Sequence, residues 1–154
     1  MAVTEVPTEI PTQLQPDFGP SHLDPEVLAR AIVGERPWLT IAEAASAMGV
    51  TAHTLRYYER IGLVTVPRDA AGRRRYSVPE VGRVVVITRL RLTAMPIQGI
   101  QEYFRLVDAG PSTVPQRRAQ LEDHRARVVA QIASLRDALA VVDFKIDLYG
   151  GPSR

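Results

Sequence analysis

Four polar side chains between residues 53 and 60 have the types and the spacing to read a polyanion. His53, Arg56, Tyr57 and Arg60 fall at i, i+3, i+4 and i+7, so on a helix they share one face. Leu55, Tyr58 and Ile61 point elsewhere, towards a core. A face of one imidazole, two guanidiniums and a phenol gains nothing from a protein interior. In the major groove of DNA it gains much, because Arg pairs with guanine edges and a hydroxyl reaches phosphate. The plainer reading of four such residues is a solvated helix face. A second basic feature shifts the balance: Arg73, Arg74 and Arg75 are consecutive in a turn-rich segment that follows Arg68 and ends at Tyr76. Three like charges in a tight hairpin repel one another unless an anion gathers them. On this reading Arg56 and His53 meet base edges, while Tyr57, Arg68, Arg74 and Tyr76 position the nucleic-acid backbone.

Other chemistries find little support. With no cysteine in the chain, disulfides, thiolate metal sites and thiol catalysis are excluded. His22, His53 and His124 are scattered and read as surface or contact residues rather than metal ligands. Asp143 and Asp147, one turn apart, read as a solvated helix edge. No nucleophile–base pair or glycine-rich phosphate loop is present, so neither an enzyme nor a cofactor is expected. Trp38 and Tyr103 are better suited to covering a core than to lining a ligand pocket. Charge is unevenly placed: residues 1–38 carry two Arg against six acids, whereas residues 39–110 carry ten Arg against six. The polyanion partner therefore belongs to the middle segment. The start Met1-Ala-Val-Thr-Glu lacks a basic, apolar leader and no transmembrane run follows, which makes a cytoplasmic protein without a membrane partner the expectation.

The elements that must position these residues are well punctuated. Residues 1–38, with Pro7, Pro11, Pro16 and Pro20, read as a mostly disordered acidic arm. Asp24-Pro25-Glu26 starts a short helix over 25–33 within it. Thr40 and Glu43 form a capping box for a helix ending at Gly49, and Thr51 caps the next helix, which stops at Gly62. Two short helices so joined outline a helix-turn-helix. Leu63–Val66 and the Tyr76 region are expected to pair as a hairpin wing around 68–75. Ser77 and Glu80 cap a helix to about Leu92, and Ile97, Ile100, Phe104 and Val107 mark another. The long final helix begins at Thr113-Val-Pro-Gln116. Its Leu121, Val128, Ile132, Leu135, Leu139, Val142 and Ile146 alternate at three and four, with Arg125 in the one polar slot. A bare heptad seam of that length needs a partner helix, which predicts a homodimer. A second stripe, Val141, Phe144 and Leu148, lies off the seam and is a candidate for docking between subunits; plain packing is the alternative.

Thr54-Leu-Arg-Tyr-Tyr-Glu59, Gly62-Leu63 and Gly72-Arg-Arg-Arg-Tyr-Ser77 together resemble the signature of the MerR-type bacterial transcription regulators. The resemblance runs in order and spacing over residues 39–149, and the ending Phe144-Lys-Ile-Asp-Leu-Tyr149 is similar to the family's cysteine-free members. It implies a mainly α fold: a winged helix-turn-helix domain over 39–110, then a dimerisation helix over 111–149 that forms an antiparallel coiled coil, and a short tail over 150–154. It further implies a dimer on a pseudo-palindromic promoter in double-stranded DNA, which it distorts so that RNA polymerase holoenzyme can use both promoter boxes. Two departures stand out. Ala94, Met95 and Pro96 occupy the turn where the family usually has Gly, an aromatic and Ser. Cysteine is also absent from the positions that metal and redox sensors use, so a small-molecule effector stays open. The rival readings are an architectural DNA-binding protein without an effector, and an interaction module in which only the coiled coil matters.

Overall fold

The computed structural model describes residues 24–150; the Pro-rich stretch 1–23 and the tail 151–154 lie outside the described residues. Six helices follow one another: α1 (Pro25–Val33), α2 (Ile41–Met48), α3 (Ala52–Arg60), α4 (Val78–Leu92), α5 (Ile97–Asp108) and α6 (Val114–Leu148), with a 3-10 turn at Pro111–Thr113. They form two units, divided between Ala94 and Met95. α5 and α6 fall in the same unit.

In the first unit the helices start and stop where the caps place them. The Thr40 side chain accepts from the Glu43 N–H, and the Glu43 carboxylate accepts from the Thr40 N–H at 2.8 Å. Gly49, at φ 65° and ψ 30°, closes α2 in the left-handed region that glycine enters without strain. Thr51 caps α3, and Gly62 at φ 77° ends it, with Leu63 N–H returning to the Tyr58 carbonyl at 2.9 Å. Leu39, Leu55, Leu63, Val81, Val84 and Ile87 are fully buried between these helices. Within residues 24–38 the short helix forms over Pro25–Val33. Asp24 caps α1, which packs on α4 and buries Ala29 and Val33. A Cβ added at Gly82 of α4 would stand 3.6 Å from the Ala29 Cβ, so two small residues let these helices approach closely.

The wing differs from its expected pairing. Among the described residues there is no extended strand, only two antiparallel bridges, Arg68 with Arg74 and Leu39 with Tyr76. Leu63–Val66 does not pair with Tyr76. Leu63, Val64 and Val66 are all buried, which an alternating strand over a single core would not permit. Tyr76 instead exchanges two backbone hydrogen bonds with Leu39, at 2.8 and 2.9 Å.

In the second unit α5 buries Ile100 and Phe104, and Gln120 of α6 donates to the Gly99 carbonyl at 2.7 Å. Helix α6 is 35 residues long, about 50 Å. Leu121 and Val128 are half-buried, but every described residue from Val129 onwards is exposed. The seam residues Ile132, Leu135, Leu139, Val142 and Ile146 thus lie open to water, as do Val141, Phe144 and Leu148. Arg125, in the polar slot of the seam, is exposed too.

Candidate nucleic-acid interface

Helix α3 carries the polar face that the spacing predicts. His53, Arg56 and Arg60 are exposed and Tyr57 is half-buried, while Leu55 and Tyr58 go to the core. The Arg60 guanidinium sits 5.5 Å from the centre of the Tyr57 ring, a cation–π contact that holds both side chains along one edge of the helix. No carboxylate is paired with Arg56 among the described residues, so its donors are open to solvent. Burial pushes the Tyr58 phenol above its ordinary pKa, as suits a residue behind the face rather than on it.

Each of the three consecutive wing arginines has a separate partner within the chain. Arg73 Nε donates to Asp69 Oδ2 at 2.9 Å, and the other Asp69 oxygen accepts from the N–H groups of Ala71 and Arg73. These bonds, the Arg73 N–H first, hold the Asp69 carboxyl below the ordinary aspartate pKa. They also shape the turn, which Gly72 completes at φ 77°. Arg74 Nε donates to Glu59 Oε2 at 2.6 Å, and Arg68 reaches Glu59 Oε1 at 3.4 Å. Arg75 lies over Trp38, its guanidinium carbon 5.1 Å from the ring centre, and its Nε is buried without a hydrogen-bond partner.

Tyr76 corrects the sequence reading. It is 0% exposed, so its ring fills the core beneath the wing and cannot face a ligand. Its bridge to Leu39 turns the side chain inward, and burial, followed by the negative charge of Glu59, pushes its phenol up. The described residues thus bring His53, Arg56, Tyr57 and Arg60 together on α3 and Arg68, Arg73 and Arg74 on the wing, all within one unit. Arg75 sits at the wing's base. Glu59 was missed: it lies between Tyr57 and Arg60 in sequence but off their shared face, and its partners lie nine and fifteen residues on, where no periodicity links them. Among the described residues no group of His, Asp and Glu is arranged to hold a metal, and no helix is long and apolar enough to cross a membrane.

Comparison with known proteins converges on one family. The family described as MerR HTH family regulatory protein matches residues 39–106. An HTH-type transcriptional regulator of Haemophilus influenzae is 31% identical over 111 residues, covering 71% of this chain and 82% of that protein. The HTH-type transcriptional regulator AdhR of Bacillus subtilis is 37% identical over 92 residues, 59% of this chain and 66% of AdhR. Among solved structures, HiNmlR, a MerR family regulator lacking the sensor domain and bound to promoter DNA, superposes with a TM-score of 0.68. It shares 30% identity, over 73% of this chain and 90% of that one. A MerR family transcriptional regulator from Listeria monocytogenes gives a TM-score of 0.69 and 33% identity, over 73% of this chain and 86% of its own.

Proposed function

Because the chain belongs to the MerR family of helix-turn-helix regulators, we propose that it works as a dimeric, sequence-specific regulator that binds and distorts promoter DNA. The observation that carries this is the pairing of two basic surfaces in one unit: the exposed His53, Arg56 and Arg60 of α3 and the Arg68–Arg74 wing bound to the same helix through Glu59. Helix α3 enters the major groove with Arg56 and His53 at base edges, and the wing tracks the neighbouring phosphates. Cytoplasmic, nucleoid-associated action beside RNA polymerase, with no catalytic step of its own, follows from the same reading.

Two copies join through α6. Five half-exposed seam side chains per copy, each gaining roughly 1 kcal/mol when its open part is covered, favour association. The off-seam stripe of Val141, Phe144 and Leu148 docks on the other subunit, and an effector acts there by favouring one dimer shape. Phe144→Ala should then leave the dimer and most DNA affinity intact but flatten promoter output in a reporter fusion. An unchanged output would remove the docking role.

The functional reading is tested by selection of duplexes from a random pool, followed by titration of the selected and of random DNA at several salt concentrations. A regulator binds the selected duplex about 10³-fold or more tightly than random DNA. Equal affinity for both would favour an architectural binder, and no salt-dependent affinity for either would leave only a coiled-coil interaction module.

A further inference from the structure

We propose that Glu59 is a positioning residue that fixes the wing against α3 and aims Arg74 at a single DNA phosphate, an assignment that rests on the DNA-binding reading above. The chain places one carboxylate at the meeting point of helix and wing. Its two oxygens take Arg74 Nε at 2.6 Å and Arg68 at 3.4 Å. Both partners come from the wing, so the bonds span two elements rather than stiffening one. The Arg74 side chain is 24% exposed and that of Glu59 is 21% exposed, so the pair is partly shielded from water and its geometry is held firmly.

The bond from Nε is the decisive detail. A guanidinium held by its Nε keeps both terminal nitrogens as donors, in a plane that the carboxylate sets. One carboxylate facing two guanidiniums also leaves an excess positive charge at the junction. Arg73, by contrast, is neutralised by Asp69 within the turn, and the Arg75 guanidinium lies over Trp38. Of the three consecutive arginines, only Arg74 is therefore both aimed and charged towards a phosphate. Glu59 acts through it without touching DNA.

The test rests on a sign. If Glu59 mattered only as a negative charge near a polyanion, Glu59→Gln would remove repulsion, tighten binding to every duplex and steepen the salt dependence. A positioning residue gives the opposite result. Glu59→Gln should weaken binding to the selected duplex about tenfold, with a salt slope shallower by about one contact. Arg74→Lys keeps the charge and loses the fork, and should weaken binding to the same degree. The double variant should be no worse than either single one, since all three break one unit. Arg118→Ala, on α6 and paired to Glu122, should leave the slope unchanged. Thermal unfolding of each variant monitors the fold; should Glu59→Gln lower the midpoint by many degrees, Arg74→Lys and Arg118→Ala decide alone. Tighter binding by Glu59→Gln, wild-type affinity in Arg74→Lys, or an equal loss in Arg118→Ala would each overturn the assignment. Wild-type protein without salt-dependent DNA binding would sink the functional reading itself.

Discussion

Arg73, Arg74 and Arg75 are neighbours in the chain, yet their guanidiniums end at a turn carboxylate, a helix carboxylate and an indole face. Arg56 differs from all three, being exposed with no carboxylate paired to it. Arg56→Ala is therefore expected to cost about 1–3 kcal/mol on the selected duplex and to relax the base preference at one position, as a binding titration against single-base variants would reveal. An equal loss on random DNA would place Arg56 on phosphate instead. Asp69 brings a pH dependence. Its pKa lies below the unfolded value, so its hold on the turn is complete above about pH 4 and is lost as pH falls through the lower folded pKa. A carboxyl titration by NMR should show Asp69 protonating below an unstructured aspartate, and the Ala71 and Arg73 amides shifting with it. A midpoint at or above the ordinary aspartate value would contradict this.

The helices were legible because their signals are local. Thr40 with Glu43, Thr51, Gly49 and Gly62 each act within one turn of chain, and each does what its type allows. The wing was only half legible. Turn residues announced a hairpin, but the partner of Tyr76 is Leu39, far upstream, and consecutive buried residues at Leu63 and Val64 carry no strand alternation. The inward turn of Tyr76 and the role of Glu59 were hidden for the same reason: both depend on contacts distant in sequence. α1 was seen as a helix, but its docking on α4 was not. The turn after α4, where the sequence departs from the usual Gly, carries a conformational cost. Ala94 sits at φ 60°, the only non-glycine residue with a positive φ among those described. An L-residue pays on the order of 1–2 kcal/mol there. Ala94→Gly should therefore stabilise the protein by about 1 kcal/mol in urea unfolding, despite the greater freedom that glycine gives the unfolded chain. A loss of stability would mean that the strain is relieved elsewhere.

For the molecule as a whole, the assembly proposed above rests on α6. Its twenty residues from Val129 to Leu148 are all exposed, so its apolar seam stays in water until it is covered. Leu135 is 62% exposed at the middle of that seam. Leu135→Asp should weaken the dimer by several kcal/mol, because covering the seam would then bury a carboxylate without a counter-charge. Sedimentation at micromolar concentration should give a dimer for the wild type and a monomer for the variant. A wild-type monomer under those conditions would remove the basis of the dimer.

Arg125 gives the same seam a second property. A run of apolar residues is sticky towards any similar run, and a cell that holds several long regulator helices offers many wrong mates. One exposed guanidinium in the row interrupts that run, and any partner that would bury it against hydrocarbon without a counter-charge is disfavoured. The residue that most weakens the seam as glue is thus the one that lets it discriminate.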